Sequence, residues 1–204
     1  MSARCTRHLG RWGWRVGTAL RRALAYATLT AATAAAGHAA TVDLVFAGDV
    51  VLDATAGTLI AQGGDPFVGF AGVFERADIR VANLECVVAT TGEAGNKTFT
   101  FRAHPRVLPV LRKHFDALAL ANNHSGDYGR AAFAEMLGLL KQAGLASFGG
   151  GHNLREAHTP WIVERKGLRI ALLAYSEFMP RSFEADFDAP GVAWSEDEQV
   201  VHDI

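Results

Sequence analysis

The sequence predicts an α/β fold built on a layered sheet, and three observations predict it. Short apolar runs recur along the chain, and three of them halt at polar clusters: Gly48-Asp49, Glu85 and Asn122-Asn123-His124. The segments between them are long enough for helical or looped crossovers, which parallel strands require. A late pair of apolar segments meets at Lys166-Gly167, a hairpin turn signal. In open sheets of this kind ligands bind beyond the carboxyl ends of the strands, where the three polar clusters fall.

Residues 1–40 stand apart from this pattern. They hold six arginines (Arg4, Arg7, Arg11, Arg15, Arg21, Arg22) and no acid, followed by a small, uncharged run from Ala23 to Ala36 and then Gly37-His38-Ala39-Ala40. A basic start, an apolar middle and a small-residue end form the three parts of a secretory signal, so residues 1–40 are expected to be an export segment cut after Ala39 or Ala40. Arg21-Arg22 also suits a twin-arginine route. The alanine-rich run falls short of the roughly 20 strongly apolar residues of a membrane span, though an uncleaved segment would tie the protein to a membrane. The expected location is the periplasm or cell envelope, with residues 41–204 as the working domain.

From Thr41 onward the elements follow in turn. Thr41 to Ala47 reads as a buried strand, and Ile79 to Leu84 repeats its form. His104 to His114 places apolar residues at 107, 108, 110 and 111, a helix opened by Pro105 if Pro109 sits in its first turn or kinks it. Phe115 to Ala121 is a third strand. Gly129 to Ala143 is an amphipathic helix with apolar positions 133, 136, 137 and 140, closed by Gly144. Leu145 to Phe148 is a short strand, and Trp161–Glu164 with Leu168–Tyr175 forms the hairpin.

Composition narrows the function. The 204 residues are 50% hydrophobic and 20% charged, the make-up of a globular chain, which excludes disorder and collagen-like sequence. Two cysteines, Cys5 and Cys86, are too few for a disulfide framework and lack zinc-knuckle spacing, so any metal must be held by oxygen and nitrogen. Residues 41–204 carry 14 basic against 21 acidic side chains, a formal balance of −7. Such a body lacks the basic cluster that nucleic acid requires, and no nucleic-acid partner is expected.

The strand ends carry the chemistry. Carboxylate, amide and imidazole groups from three distant segments can converge on one cleft and hold a divalent ion such as Mg, Mn, Fe or Zn, which polarises a phosphoryl or acyl oxygen or activates a water. Singly, Asp49 also suits a turn or helix cap, Glu85 a solvated loop, and Asn122 and Asn123 a left-handed turn. Their shared position at strand ends favours the joint reading.

Three strings then become recognisable: Phe46-Ala47-Gly48-Asp49-Val50-Val51-Leu52, Val81-Ala82-Asn83-Leu84-Glu85, and the stretch from Ala119 to Gly129 containing Asn122-Asn123-His124-Ser125-Gly126-Asp127-Tyr128. Together with Phe148 to Ala157 and Leu168 to Leu173, they resemble the CapA family of capsule-synthesis proteins, implicated in poly-γ-glutamate production. That family is similar to the calcineurin-type metallophosphoesterases, which implies a sandwich of two central sheets flanked by helices. Carried over by position, the resemblance makes Asp49, Glu85 and Asn123 metal ligands, with Glu85 shared between two ions, and makes His124 the catalytic imidazole. Asp127 and Tyr128 would cap the following helix and close the site, while His152 and Asn153 belong to a Gly-rich turn. Val51 stands where the phosphoesterase pattern has a histidine, and Cys86 where family members have glycine; the thiol is expected to pack as a small hydrophobe. The family's later His-containing segments do not appear in residues 1–204, so the domain is expected to be incomplete at its C-terminus.

Two functions follow from the resemblance. One is an exported protein of capsule or poly-γ-glutamate production, with metal-dependent hydrolase or transferase chemistry. The other is a non-catalytic member that binds the polymer or components of its synthase, or an inactive fragment. Because poly-γ-glutamate is a polyanion, a −7 body repels it unless metal or a local basic patch reverses the field.

Overall fold

The computed structural model describes residues 40–179 and 181–204, and the expected export segment, residues 1–39, lies outside them. Along the chain run β1 (Leu44–Val50), α1 (Ala54–Ala61), α2 (Ala71–Phe74), β2 (Ile79–Leu84), β3 (Val87–Val88), β4 (Arg102–Ala103), α3 (Leu108–His114), β5 (Ala117–Ala119) and α4 (Gly129–Gln142). They are followed by β6 (Ala146–Phe148), β7 (Gly150–Gly151), α5 (Leu154–Ala157), β8 (Trp161–Arg165), β9 (Leu168–Leu172), β10 (Gly191–Val192) and α6 (Asp197–Asp203). Among the described residues no helix is long and apolar enough to cross a membrane.

The central sheet is parallel throughout, in the order β1-β2-β5-β6. Its two faces are both apolar, which is why its strands read as continuous runs rather than alternating ones. Ala82 and Leu84 of β2 and Leu118 of β5 pack into the larger core with Leu111 of α3 and Phe133, Met136 and Leu140 of α4. Ile79, Val81 and Ala117 point the other way and pack with Phe148, Val163 and Leu172, the last two from the β8–β9 hairpin. The architecture is therefore mixed α/β: helices on one face of a parallel sheet and a two-stranded hairpin on the other.

Most local expectations rest on identifiable chemistry. Pro105 opens a 3₁₀ turn capped by His104, whose Nδ1 accepts the Arg106 N–H at 3.1 Å, and Pro109 falls in the first turn of α3, where its missing N–H is harmless. Gly144, at φ +69°, ends α4, and the Leu145 N–H donates to the Leu140 carbonyl at 3.0 Å. Lys166 and Gly167, at φ +51° and +78°, make the two-residue turn of the hairpin.

Three strands differ from expectation, and the simplest case is β9, which ends at Leu172 rather than running to Tyr175. β1 runs to Val50 because Gly48, at φ +72°, is absorbed as a bulge: Phe46 pairs with Val81 but Asp49 with Asn83, three residues advancing against two. The extra residue restores the phase, so Val45 and Val50 both face the helix-side core despite their odd spacing. β5 is short because Leu120 and Ala121 already turn toward the polar loop. The Gly-rich stretch is also more than a turn, since Gly150 and Gly151 pair with Val192 and Gly191 of β10.

Candidate functional site

The carboxyl ends of β1, β2 and β5 are joined by a chain of side-chain hydrogen bonds, each link crossing to the next strand. Asn122, just after β5, donates from Nδ2 to Asn83 Oδ1 at 2.9 Å, and Asn83 donates to Asp49 Oδ1 at 2.8 Å. Asn122 also donates to the Leu84 carbonyl at 2.9 Å, while its Oδ1 accepts the His124 N–H at 3.0 Å and the Ser125 hydroxyl at 3.2 Å. A planar amide with two donors and a two-lone-pair oxygen makes all four bonds at once. Asn122 thus fixes the loop that carries His124 to the ends of the neighbouring strands.

His124 is held from three sides. Its Nδ1 lies 2.7 Å from Asp127 Oδ2, and because an ionised carboxylate only accepts, Nδ1 carries a proton and Nε2 is the ring nitrogen left for other partners. The Phe101 ring packs over the imidazole with centroids 4.5 Å apart. Asp127 has a fully buried side chain and accepts three hydrogen bonds: from His124, from Lys97 Nζ at 2.5 Å, and from the Phe101 N–H at 2.8 Å. Lys97 also donates to the Asn123 carbonyl at 2.7 Å. The expected capping role of Asp127 gives way to this one: Tyr128 stands at the N-cap of α4 without a side-chain cap bond, and Asp127 turns inward to orient His124.

Asp49 and Glu85, at the ends of neighbouring strands, are close enough for the charge of one to act on the other. Burial first, and then the neighbouring Asp49, push the Glu85 carboxyl above its ordinary value, with the His124 charge acting in the opposite sense. Two close carboxylates repel, and a cation between them relieves the repulsion. Asn123 is half-buried; among the described residues its side chain makes no hydrogen bond, and it lines a cleft of about 360 Å³ beside the loop. The amides of Asn83 and Asn122 are consumed by the inter-strand chain. Among the described residues no group of three or more His, Cys, Asp and Glu side chains is arranged around one point to hold a metal ion. Two carboxylates are oxygen donors of the kind that hard divalent cations take.

Cys86, next to Glu85, is fully buried in the larger core, and burial pushes its thiol up to about 12. It packs as the small hydrophobe expected, with the Leu52 N–H donating to Sγ at 3.5 Å. Lys97 and Phe101 were the residues that sequence spacing did not reveal, because they sit in an irregular loop between β3 and β4. Asn83, part of the strand-end triplet Asn83-Leu84-Glu85 that the sequence marks, is the link between Asn122 and Asp49.

With this geometry in hand, comparison with known proteins is informative. The pattern of a family described as bacterial capsule synthesis protein PGA_cap matches residues 43–204. A probable polyglutamine synthesis accessory protein of Mycobacterium tuberculosis is 35% identical over 123 residues, covering 56% of this chain and 32% of the relative. The PGA biosynthesis protein CapA of Bacillus subtilis is 26% identical over 133 residues, covering 63% of this chain and 35% of the relative. An uncharacterized protein of Sinorhizobium fredii is 28% identical over 154 residues, 70% of this chain and 32% of the relative. The matched stretch thus spans about a third of the length of these relatives.

Proposed function

The chain belongs to the bacterial capsule synthesis family PGA_cap, and on that premise we propose that it acts in building a capsule or poly-γ-glutamate polymer through a metal-assisted hydrolase or transferase site at the ends of β1, β2 and β5. The observation that carries the reading is the Asp49–Asn83–Asn122 chain, which locks three strand ends beside a histidine whose free nitrogen is fixed by Asp127. Asp49 and Glu85 would hold a divalent cation (Mg, Mn, Fe or Zn), with Asn123 as a further amide donor. When bound, such a cation supplies Lewis-acid polarisation of a phosphoryl or amide-linked group, or an activated water.

The protein's own groups do the rest. His124 presents Nε2 to receive a proton or pass one to a leaving group, and its tautomer is set by Asp127. Lys97 balances the charge of Asp127, so the buried carboxylate acts as an orienting acceptor rather than an unpaired anion. Phe101 shields one face of the ring from water. We read the β8–β9 hairpin as the start of the second sheet of a metallophosphoesterase-like sandwich, and residues 1–40 as an export segment that carries the domain to the periplasm or cell envelope, where the polymer or its synthase would be its partner.

The test is elemental analysis of the purified protein for bound metal, alongside hydrolysis of a chromogenic phosphodiester and of a γ-glutamyl anilide. The His124→Ala variant should retain metal and lose turnover. Absence of metal after reconstitution, with no turnover, replaces this reading with a non-catalytic one, in which the same fold binds the polymer or its synthase; the printed description of one relative as an accessory protein is what favours that alternative.

A further inference from the structure

The cleft of about 360 Å³ beside the His124 loop has a mixed lining. It includes the polar side chains of Asn96, Lys97 and Asn123 and the aromatic ones of Phe178, Phe183 and Trp194. The volume falls in the range of ligand pockets, roughly 300–1,000 Å³. We propose that this cleft binds one or two neutral sugar rings of a glycan chain, seating them beside the reactive histidine.

The argument begins with unfilled hydrogen-bonding capacity. Lys97 spends two of its three N–H groups on Asp127 and the Asn123 carbonyl, leaving one. Among the described residues the side-chain amides of Asn96 and Asn123 make no intramolecular hydrogen bond, so each offers donors and an acceptor in one plane. Vicinal hydroxyls, each able both to donate and to accept, match that set. Of the aromatic lining, Phe178 is 60% exposed, while the Phe183 and Trp194 rings each carry an arginine guanidinium, Arg130 and Arg181, over one face. The negative face of an aromatic ring attracts the polarised C–H groups on the face of a sugar ring, which are also apolar enough to gain from burial.

Charge decides against a polyanion. Lys97 and Glu184, the ionised groups that line the cleft, are each already in an ion pair. Lys97 is matched by Asp127, and Glu184 by Arg181, which also meets Glu196 and lies over Trp194 with its guanidinium carbon 5.3 Å from the ring centroid. Arg130 is consumed by the backbone carbonyls of Ser182, Glu184 and Pro190. No free cation among these groups faces an incoming carboxylate, and residues 41–204 carry a formal −7.

This inference rests on the proposed function only in placing the bound chain next to His124, and binding is measured without turnover. The isotope-labelled full chain is titrated with maltotriose, with tri-N-acetylchitotriose and with γ-linked triglutamate, each at low and at high salt. At least one oligosaccharide is expected to shift the Asn96 and Asn123 side-chain amide signals and the Trp194 indole signal saturably, with an affinity indifferent to salt. Phe178→Ala should weaken that binding roughly two- to tenfold, the loss of one aromatic contact, and Asn96→Ala, on an exposed residue, provides a second variant that leaves the fold intact. If neither oligosaccharide moves these signals, or if triglutamate moves them with an affinity that falls as salt rises, the proposal is overturned, whatever the metal and turnover assays report.

Discussion

Replacing Asp127 by alanine should be the most damaging single change near the site. The carboxylate is fully buried and receives Lys97 Nζ at 2.5 Å, His124 Nδ1 at 2.7 Å and the Phe101 N–H at 2.8 Å. Removing one partner of a buried charge pair costs about 3–5 kcal/mol. Lys97 is 38% exposed and can rehydrate, which places the loss near the lower end, about 3 kcal/mol. At about 2–4 °C per kcal/mol for a domain of this size, Tm should fall by about 6–12 °C. Asp127→Asn keeps the shape and an acceptor for the Phe101 N–H, and should lose about half as much. The assay is urea unfolding of the full chain followed by circular dichroism, with Lys97→Met and the double variant completing a cycle. Because both residues belong to one ion pair, the double variant should lose at least about 1 kcal/mol less than the sum of the single losses. A loss below about 1 kcal/mol for Asp127→Ala, or strict additivity, would refute the view that this pair holds the His124 loop.

Further predictions concern pH, metal, thiol chemistry and packing. Burial works against the charge on Glu135, but the hydroxyls and amides of Thr91 and Thr90 outweigh it and hold the carboxyl at about 2. Its folded value is lowered, so its stabilisation is present above the ordinary value of 4.5 and should drain away as pH falls toward about 2; Glu135→Gln should abolish that slope in pH-dependent unfolding. Glu85 has the opposite sign: its folded value is raised, so stability falls as pH rises from its ordinary value through the raised one. Glu85→Gln should therefore melt higher than the parent at neutral pH in metal-free buffer, and should lose the Tm increase that added Mn or Mg gives the parent; a larger metal response in the variant would contradict the ligand role. In a Cys5→Ser background, Cys86 should resist a disulfide reagent at mild alkaline pH and react only on unfolding, since burial pushes its thiol up to about 12. Gly191→Ala would bring a Cβ within 2.5 Å of the Ala185 nitrogen and the Phe183 carbonyl oxygen, so it should destabilise by about 1–3 kcal/mol in the same urea assay.

How much of this was legible in the sequence depended on how local the cause was. The hairpin at Lys166-Gly167, α4 with its Gly144 ending, and the proline-opened α3 are each set by residues within a turn of one another, and all three read correctly. That the apolar runs are strands of one layered sheet could be argued because strands buried on both faces carry their own signal, whereas their order could not. The bulge at Gly48 could not, because it exists only relative to β2. The site divides along the same line. Asp49, Glu85, Asn123 and His124 stood out as polar residues ending apolar runs. Lys97, 30 residues before Asp127, has no periodic neighbour that marks it, and its pairing is created by the tertiary fold alone. Asn122 appeared as a turn former, yet it makes four side-chain hydrogen bonds that bind strand ends together. Asp127 illustrates the general difficulty: from sequence a carboxylate before a helix is a cap, and only the three-dimensional path of the β3–β4 loop gives it other donors.

The order β1-β2-β5-β6 has a consequence for how the chain is made. Every strand of the sheet lies next to one synthesised before it, and none must be inserted later between two that have already joined. At a synthesis rate of roughly 5–20 residues per second, β1 waits only a few seconds for β2, and each later strand emerges to find a finished edge. The sheet can therefore grow by accretion from its N-terminal side as the chain emerges from the ribosome.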